Sequence, residues 1–440
     1  MDTLNNISFG RYSTTVKLFT VGFLIIICLV PSIFVWILLA ERTNRQDEAK
    51  KEITGKWGSN QIIAGPILSL PYSSASIDSQ GLKHEITGVL NILPQKLNYT
   101  ATIDPEIRSR GIFDAIVYKT NIDAEGSFAK PDLEHASIKA NEIQWDKAYV
   151  AIAVTDTRGI VEQVNLQWNG VGIPFEPGAK NIIAGESGIH AFVPFNPSMK
   201  SFDFSYSLNL QGSEQLEFLP LGGETNVEIK SNWSAPSFTG AYLPGEREIN
   251  DGFLAKWSVS SFGRSYSQQW ADGEVDTQTL LNSRFGVSLI KSVDFYKNID
   301  RTIKYAIMFI AITFMAFFLF EVLSKIKIHP FQYLLVGFAL ALFYLLLLSF
   351  SERFGFLPAY VISTFATIFL IASYSIKVLR ARKKAVIISA LLFLLYSYLY
   401  VIVQLEDLAL LFGSLLLFAL LALTMYLTRN IDWYQADSAG

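Results

Sequence analysis

Residues 18–40 read LFTVGFLIIICLVPSIFVWILLA and contain no charged side chain. A helix of this length rises about 34 Å, which is enough to cross the roughly 30 Å hydrocarbon core of a bilayer. The apolar region of a cleaved signal peptide is shorter, about 7–15 residues. The sequence that follows, ERTNRQ at 41–46, offers no small-residue cleavage site. We therefore predict an uncleaved transmembrane signal anchor, with a cleaved signal peptide as the alternative.

Five further apolar runs predict a C-terminal bundle of membrane helices. They lie at 303–320, 331–350, 356–376, 385–403 and 408–427. Each is close to the roughly 20 residues that a spanning helix needs. The last two are separated only by 404–407 and so form a tight hairpin, unless 385–427 divides differently. We expect six spans in total, with tails at 1–17 and 428–440.

Lysine and arginine in the short loops predict the orientation, because cytoplasmic loops are enriched in both. Loop 377–384 holds five of them and loop 321–330 holds two, and the N-terminal tail adds Arg11 and Lys17. The alternate loops hold only Arg353. All the basic segments therefore fall on one side of six spans. This predicts that both termini are cytoplasmic and that 41–302 lies outside the cytoplasm.

The charge balance separates a membrane part from a soluble part. Only 17% of the residues are charged, against about 25% in an average soluble protein. The net charge of the chain is −3. Segment 303–440 has a net charge of +4 and segment 1–40 has +1, so segment 41–302 has a net charge of −8. Phosphate neutralisation requires clustered Lys and Arg, which so acidic a domain lacks. The sequence argues against a nucleic-acid partner and predicts the lipid bilayer as the main one.

Residues 202–210 predict the clearest β-strand of the outer domain. Their sequence, FDFSYSLNL, alternates apolar with polar side chains, as is typical of a half-buried antiparallel strand. The alternation recurs at 97–103 and 253–259, and Gly, Pro, Asn and Asp separate the runs. We therefore predict an α+β membrane protein with an N-terminal anchor helix and a C-terminal five-helix bundle. Between them, 41–302 forms a helical stalk and a large antiparallel β-sandwich, with two smaller β-subdomains as the alternative.

Cofactor and catalytic chemistry have little support in the sequence. The single cysteine, Cys28, lies in an apolar run, and the histidines His84, His135, His190 and His329 include no i, i+4 pair. This excludes CxxC zinc sites and the HExxH helix. There is no Walker A motif, and the order of the many carboxylates in 41–302 selects no catalytic pair. We predict no cofactor, no metal, no nucleotide and no catalytic residue.

Two groups of polar residues are candidates for coupling the outer domain to the bundle. The first group precedes the first C-terminal span and comprises Asp294, Tyr296, Asp300, Arg301 and Lys304. The simpler interpretation is that Arg301 and Lys304 only anchor a helix at the membrane interface. The second group falls on the outer side of the predicted bundle and comprises Glu352, Glu406 and Asp407. Ionisable residues near membrane spans suggest function, so these three either cap helices or form an acidic cluster.

Several long motifs follow one another along nearly the whole chain. They are WGSNQ at 57–61, the stretch from Ser231 to Trp270, FGVSLIKSVDFY at 285–296, KYAIMFI at 304–310, IHPFQYLLVG at 328–337, FYLLLLSFSE at 343–352, QLEDLALLFGSLLLF at 404–418 and TRNIDWY at 428–434. In these motifs the chain resembles the CreD family of bacterial inner-membrane proteins, which are described as cell-envelope integrity proteins. Ser267 stands where the family usually has proline, which indicates a local turn variation.

The resemblance implies a single-pass anchor, a periplasmic domain at 41–302 and a multispan bundle at 303–427 in the bacterial inner (cytoplasmic) membrane. It also implies a stress-response role under a sensor kinase and a response regulator, and it carries over no catalytic residue. Our leading interpretation is a non-enzymatic protein that supports cell-envelope integrity, with a periplasmic domain that binds or senses an envelope component. The alternatives are a transporter or flippase-like protein acting through the bundle, and a periplasmic carbohydrate-active enzyme with two carboxylates in a cleft.

Overall fold

The protein consists of two compact units. The computed structural model describes residues 14–77, 83–134, 136, 138–178, 187–271, 273–290, 295–324, 328–379, 382–405 and 408–429. One unit, the sheet unit, comprises Gln46–Ser292, and the other, the helical unit, combines Met1–Arg45 with Val293–Gly440.

The sheet unit is built from strands that range from 2 to 17 residues in length. In the described residues these strands are β1 Gln61–Ile77, β2 Lys83–Ile92, β3 Lys96–Arg110, β4 Phe113–Ala129, β5 Tyr149–Val154, β6 Asn165–Trp168, β7 Val171–Pro174, β8 Glu176–Pro177, β9 Ser187–Phe192, β10 Ser201–Ser213, β11 Gln215–Phe218, β12 Glu224–Ser231, β13 Pro236–Gly240, β14 Glu246–Ile249, β15 Phe253–Ser260, β16 Gln269–Ala271 and β17 Phe285–Leu289. The predicted strand at 202–210 lies within β10, and those at 97–103 and 253–259 lie within β3 and β15.

The strands form two sheets. One has the order β13-β17-β11-β1-β5-β9-β8, with β2 and then β16 continuing from another part of β1. The other has the order β14-β15-β12-β3-β4-β10-β6-β7. Most neighbours are antiparallel, as predicted, but β1 with β11 and β3 with β12 are parallel. The partners in each parallel pair are far apart in sequence, so no turn signal between them could reveal the pairing.

The two sheets pack face to face, which confirms the sandwich-like fold class. Alternate residues of β10 are buried and exposed, so its sheet has one apolar face. In the other sheet every residue of β5 and β17 is buried. Tyr99 of one sheet lies 4.8 Å from Phe218 of the other between ring centroids, and Trp257 lies 5.7 Å from Phe285. Full burial of a large apolar side chain is worth about 1.5–3 kcal/mol. These inter-sheet aromatic contacts therefore hold the sandwich together.

Helices make up the rest of the structure. They are α1 Thr14–Trp57, α2 Thr277–Asn282, α3 Phe295–Lys304, α4 Ala306–Ser324, α5 Pro330–Phe354, α6 Phe356–Val378, α7 Arg382–Gln404 and α8 Ala409–Thr428. The five predicted C-terminal spans correspond to α4 through α8, with boundaries that agree to within a few residues. The predicted anchor and stalk are one continuous helix, α1, in which Pro31 is accommodated.

The number of membrane crossings depends on the pair α3 and α4. Five helices of the described residues, α1 and α5 to α8, are each long and apolar enough to cross a membrane. The helices Phe295–Lys304 and Ala306–Val322 pass the same test only together, and they meet at a bend of 45°. Charged side chains on α3 explain the break, because an amphipathic helix is stable at an interface and not across it. The six-span topology therefore stays a prediction.

An aromatic cluster fills the centre of the C-terminal helices. The ring of Phe343 on α5 lies 4.6 Å from that of Tyr396 on α7 and 5.5 Å from that of Tyr360 on α6. Tyr360 donates a hydrogen bond to the carbonyl oxygen of Tyr396 at 2.7 Å. The cluster locks α5, α6 and α7 together. Tyr396 therefore packs helices together.

Candidate functional site

Glu352 near the end of α5 is the centre of a polar network in the helical unit. The buried Tyr296 of α3 donates its hydroxyl to Glu352 Oε1 at 3.1 Å. Arg42 of α1 lies with its Nε 3.6 Å from the same carboxylate oxygen. Glu352 therefore connects three helices, and its carboxylate interacts with a cation and a phenol.

Asp300 extends this network along α3. It accepts a hydrogen bond from Trp36 Nε1 of α1 at 3.2 Å and forms an ion pair with Lys304 Nζ at 2.5 Å. Arg301 donates from Nη1 to the carbonyl oxygen of Val403 on α7 at 3.4 Å. We call Trp36, Arg42, Tyr296, Asp300 and Glu352 the α3 network. Through it and Arg301, the short helix α3 contacts α1, α5 and α7.

The remaining predicted coupling residues, Asp294, Glu406 and Asp407, lie outside the described residues. The acidic cluster predicted for Glu352 with the last two therefore stays a prediction. The structure shows two partners for Glu352, namely Arg42 and Tyr296. Both are distant from it in sequence, and although Tyr296 was a coupling candidate, the sequence predicted neither contact.

A charged junction within the sheet unit joins the C-terminal end of α1 to the strands. Arg158 binds the Asp156 carboxylate through Nε at 2.9 Å and Nη2 at 2.8 Å, and its Nη1 donates to the carbonyl oxygen of Gly55 at 3.0 Å. The backbone N–H of Ser59 also donates to Asp156 at 3.1 Å. Hydrogen bonding to the Arg158 side chain is the main cause that lowers the pKa of Asp156 from 3.8 to about 2. Sequence analysis missed this junction, although Ser59 belongs to the WGSNQ motif.

A polar groove lies on the outward face of the β14-to-β7 sheet. It has a volume of about 600 Å³. Its polar side chains come from four strands and comprise Lys96, Asn98, Glu125, Ser127, Gln167, Asp203 and Ser205. They point outward because the strand period of two buries their neighbours, such as Leu97 and Tyr99. We call this feature the polar groove.

The strand register brings two carboxylates into the polar groove. Glu125 of β4 is opposite Ser205 of β10, and Asp203 is opposite Ser127. Glu125 and Asp203 are therefore diagonal neighbours, which in an antiparallel pair lie about 7–8 Å apart. Both side chains are exposed. Together with the amides and hydroxyls they present donors and acceptors that suit a hydroxyl-rich ligand.

Two cavities of the helical unit have a different character. One, of about 430 Å³, is lined by side chains of α4, α7 and α8 such as Met315, Leu391 and Leu420. The other, of about 500 Å³, lies between α1 and α5 and is lined by residues such as Phe34 and Phe338. Both linings are almost wholly apolar. They match lipid tails and do not resemble a path for a polar solute.

His329 has a structural role at the start of α5. Its Nδ1 accepts a hydrogen bond from the backbone N–H of Phe331 at 3.2 Å, and Gln332 Oε1 accepts from the N–H of His329 at 3.1 Å. This reciprocal arrangement is a helix-capping box, followed by Pro330 at the first helical position. Among the described residues, no group of three or more His, Cys, Asp and Glu side chains is placed to hold a metal ion.

Comparison with known proteins decides the family. Residues 13–434 match the family of the inner membrane protein CreD. The chain belongs to the CreD family. It is 31% identical over 415 residues to the inner membrane protein CreD of Escherichia coli (strain K12), which covers 93% of this chain and 91% of the relative. The membership establishes an inner membrane protein and agrees with the apolar helices described above.

Proposed function

We propose that this family member supports cell-envelope integrity or the response to envelope stress without catalysing a reaction. In this proposal the sheet unit lies in the periplasm and binds or senses an envelope component, and both termini are cytoplasmic. The basic residues of loop 377–384 and of the N-terminal tail support this orientation. The family membership supports the inner membrane as the site of action.

The polar groove is the observation that carries the binding proposal. It combines two carboxylates, one lysine, two amides and two hydroxyls on a rigid sheet. Such a mixture suits sugar hydroxyls, which need donors and acceptors at once. We therefore expect the ligand to be a glycan-containing component of the envelope. A strongly anionic ligand fits less well, because segment 41–302 has a net charge of −8 and would repel it.

We further propose that ligand binding to the sheet unit changes the contacts among the membrane helices. The α3 network supports this step. Helix α1 runs without a break from the apolar anchor to Trp57, whose Nε1 donates to the carbonyl oxygen of Tyr118 in the sheet unit at 3.1 Å. The same helix contributes Trp36 and Arg42 to the α3 network. A rotation or shift of α1 would therefore change the contacts of α3 and α5.

A survival assay tests the proposal in cells that depend on this chain under envelope stress. The double variant Gln167→Ala, Asp203→Asn removes groove contacts without touching the core, so it should be expressed normally and should lower survival at least tenfold. Ser258→Ala, an exposed residue on β15 of the same sheet that does not line the groove, is the control. Wild-type survival of the double variant at equal expression would refute the proposed role of the groove.

The pair Glu125 and Asp203 supports a second candidate, cleavage of a glycosidic bond. They are diagonal neighbours on adjacent strands, so their side chains can reach the separation of about 5–10 Å between the carboxyl groups of glycosidases. A general acid usually lies in an apolar pocket, however, and both of these side chains are exposed, so we favour binding. Release of new reducing ends from envelope glycans by the purified chain, abolished in Glu125→Gln, would favour the enzyme instead.

A further inference from the structure

Two contacts that join α1 to α5 are separated by a long stretch of both helices. At one of them Cys28 of α1 packs against Gly337 of α5, since a Cβ added at this glycine would overlap the sulfur. At the other, Arg42 Nε lies 3.6 Å from Glu352 Oε1. Fourteen residues of α1 separate Cys28 from Arg42, a rise of about 21 Å. This is more than half of the roughly 30 Å hydrocarbon thickness of a bilayer.

Between these two contacts the helices leave a groove. It has a volume of about 500 Å³ and an almost wholly apolar lining, to which α1 contributes Phe34 and Leu38 and α5 contributes Phe338, Leu342 and Leu345. Ligand sites in proteins commonly measure about 300–1,000 Å³. We call this feature the α1–α5 groove. Its size and lining suit an acyl chain.

Arg42 lies at the end of the groove where the apolar part of α1 stops. The uncharged run of α1 ends at Ala40. Leu38, which lines the groove, is four residues before Arg42 and therefore lies on the same face of the helix. Trp36 on the same helix is half exposed, as is typical of tryptophan at a membrane interface. The Arg42 guanidinium is therefore at the level where lipid headgroups begin.

The Arg42 guanidinium has room for an anion. Its side chain is 36% exposed. Its contact with Glu352 is too long for a hydrogen bond, and it donates no hydrogen bond to any other residue that the structure describes. Glu352 also accepts a hydrogen bond from the hydroxyl of Tyr296 at 3.1 Å. The two Nη groups of Arg42 are therefore available for the fork-shaped pairing that arginine makes with phosphate.

We propose that one phospholipid molecule occupies the α1–α5 groove, with an acyl chain along Leu38 and Leu342 and its phosphate on Arg42. An apolar groove that ends at a cation matches a molecule that carries both an acyl chain and a phosphate. The chain belongs to a family of inner membrane proteins, so phospholipids surround the groove at high effective concentration. The proposal goes beyond the glycan-binding role and does not depend on the polar groove.

The bound lipid holds α1 against α5. Its acyl chain contacts apolar atoms of both helices where their own side chains leave space, and each such contact adds dispersion attraction. It therefore also favours the contact between Cys28 and Gly337 beyond the far end of the groove. Cys28 is fully buried and is the single cysteine of the chain. Its rate of alkylation consequently reports whether α1 stays packed on α5.

Native mass spectrometry of the full-length protein tests the phosphate contact, because each bound lipid is counted by its mass. The protein is delipidated in dodecyl maltoside and titrated with dioleoylphosphatidylglycerol. We expect one tight site whose Kd rises at least tenfold in Arg42→Gln, a change of about 1.4 kcal/mol. Arg45→Gln, whose guanidinium pairs with Glu41 along its own helix at 2.6 Å, is the control and should keep the wild-type Kd. Equal Kd values for the wild type and Arg42→Gln, or equal losses in both arginine variants, would overturn the proposal.

The same titration tests the acyl-chain contact with two tryptophan variants at exposed positions of α5. Leu342→Trp fills the α1–α5 groove without disturbing the interior of the helical unit, so the variant should fold and should bind the lipid at least fivefold more weakly. Leu335→Trp, at an exposed position that does not line the groove, is the control. Equal binding by the two variants would show that the lipid lies elsewhere.

Alkylation of Cys28 by N-ethylmaleimide separates a phospholipid site from simpler ones. Dioleoylphosphatidylglycerol should slow the reaction at least threefold in the wild type and not in Arg42→Gln. Diolein has the acyl chains without the phosphate, and inorganic phosphate has the anion without the chains, so neither should protect the thiol. Equal protection by inorganic phosphate would identify a free-phosphate site, and equal protection by diolein would identify a purely apolar one. Either result would contradict the proposal.

Discussion

The Asp156 carboxylate shows how one buried residue can set the acid stability of the sheet unit. Its pKa lies at about 2 in the folded protein and at 3.8 ordinarily. Because the folded pKa is the lower one, Asp156 stabilises the fold above pH 4, and this contribution disappears as the pH falls towards 2. The difference corresponds to about 2 kcal/mol.

We predict that Asp156→Asn lowers the free energy of unfolding by roughly 2–4 kcal/mol near pH 7, since Arg158 and the Ser59 N–H lose a charged acceptor. The gap between variant and wild type should narrow below pH 4. Denaturant unfolding of the full-length protein, followed by tryptophan fluorescence between pH 2 and 7, measures both. A gap that stays constant over this range would show that the carboxylate charge is not the cause.

Ser267 shows what a single departure from a family motif does. Its hydroxyl donates to the carbonyl oxygen of Gln269 at 2.6 Å and so closes a turn before β16. The local turn variation inferred from the sequence is consistent with this geometry.

At the scale of elements, Gly337 of α5 makes a close local contact with Cys28 of α1. A Cβ added at Gly337 of α5 would overlap Cys28 Sγ of α1 and would lie 2.9 Å from Phe314. Glycine at this position therefore leaves room for the Cys28 side chain, a use of small residues that is common in membrane helix pairs. The single cysteine, which hydropathy placed in an apolar span, is part of this contact.

We predict that Gly337→Ala destabilises the protein by about 1–3 kcal/mol through overpacking, and that Cys28→Ala in the same chain restores part of the loss. Gly22→Ala in α1 is the matched control, because a Cβ there meets no atom within 4 Å. Thermal unfolding in one detergent ranks the four proteins. Equal Tm values for Gly337→Ala and Gly22→Ala would show that the close contact does not exist.

We expect helix α3 to couple the sheet unit to the membrane helices. Arg301→Ala removes the hydrogen bond to the carbonyl oxygen of Val403, and we expect the protein to remain folded while stress resistance falls several-fold. Lys297→Ala, an exposed position on the same helix that belongs to neither candidate group, is the control and should retain most of the resistance. Normal resistance in the Arg301 variant at equal expression would remove the coupling role and leave an interfacial anchor.

At the scale of the whole molecule, sequence analysis succeeded where the physical signal is local. The run predicted at 331–350 corresponds to Pro330–Phe354 because hydropathy is a property of neighbouring residues. It failed where contacts join distant segments. The parallel pairing of β3 with β12, the Asp156 junction and the partners of Glu352 all depend on tertiary packing. So does the polar groove, whose side chains extend from Lys96 to Ser205 and converge only through strand order.

The central claim is that the polar groove binds a glycan-containing envelope component. Its most direct test is thermal unfolding of the full-length protein with and without soluble peptidoglycan fragments, for the wild type, for Gln167→Ala with Asp203→Asn, and for Ser258→Ala. A ligand at a hundredfold excess over its Kd stabilises the folded state by about 2.7 kcal/mol. We predict this stabilisation for the wild type and Ser258→Ala and its loss in the groove variant. No stabilisation of the wild type, or equal stabilisation of all three proteins, would contradict the account.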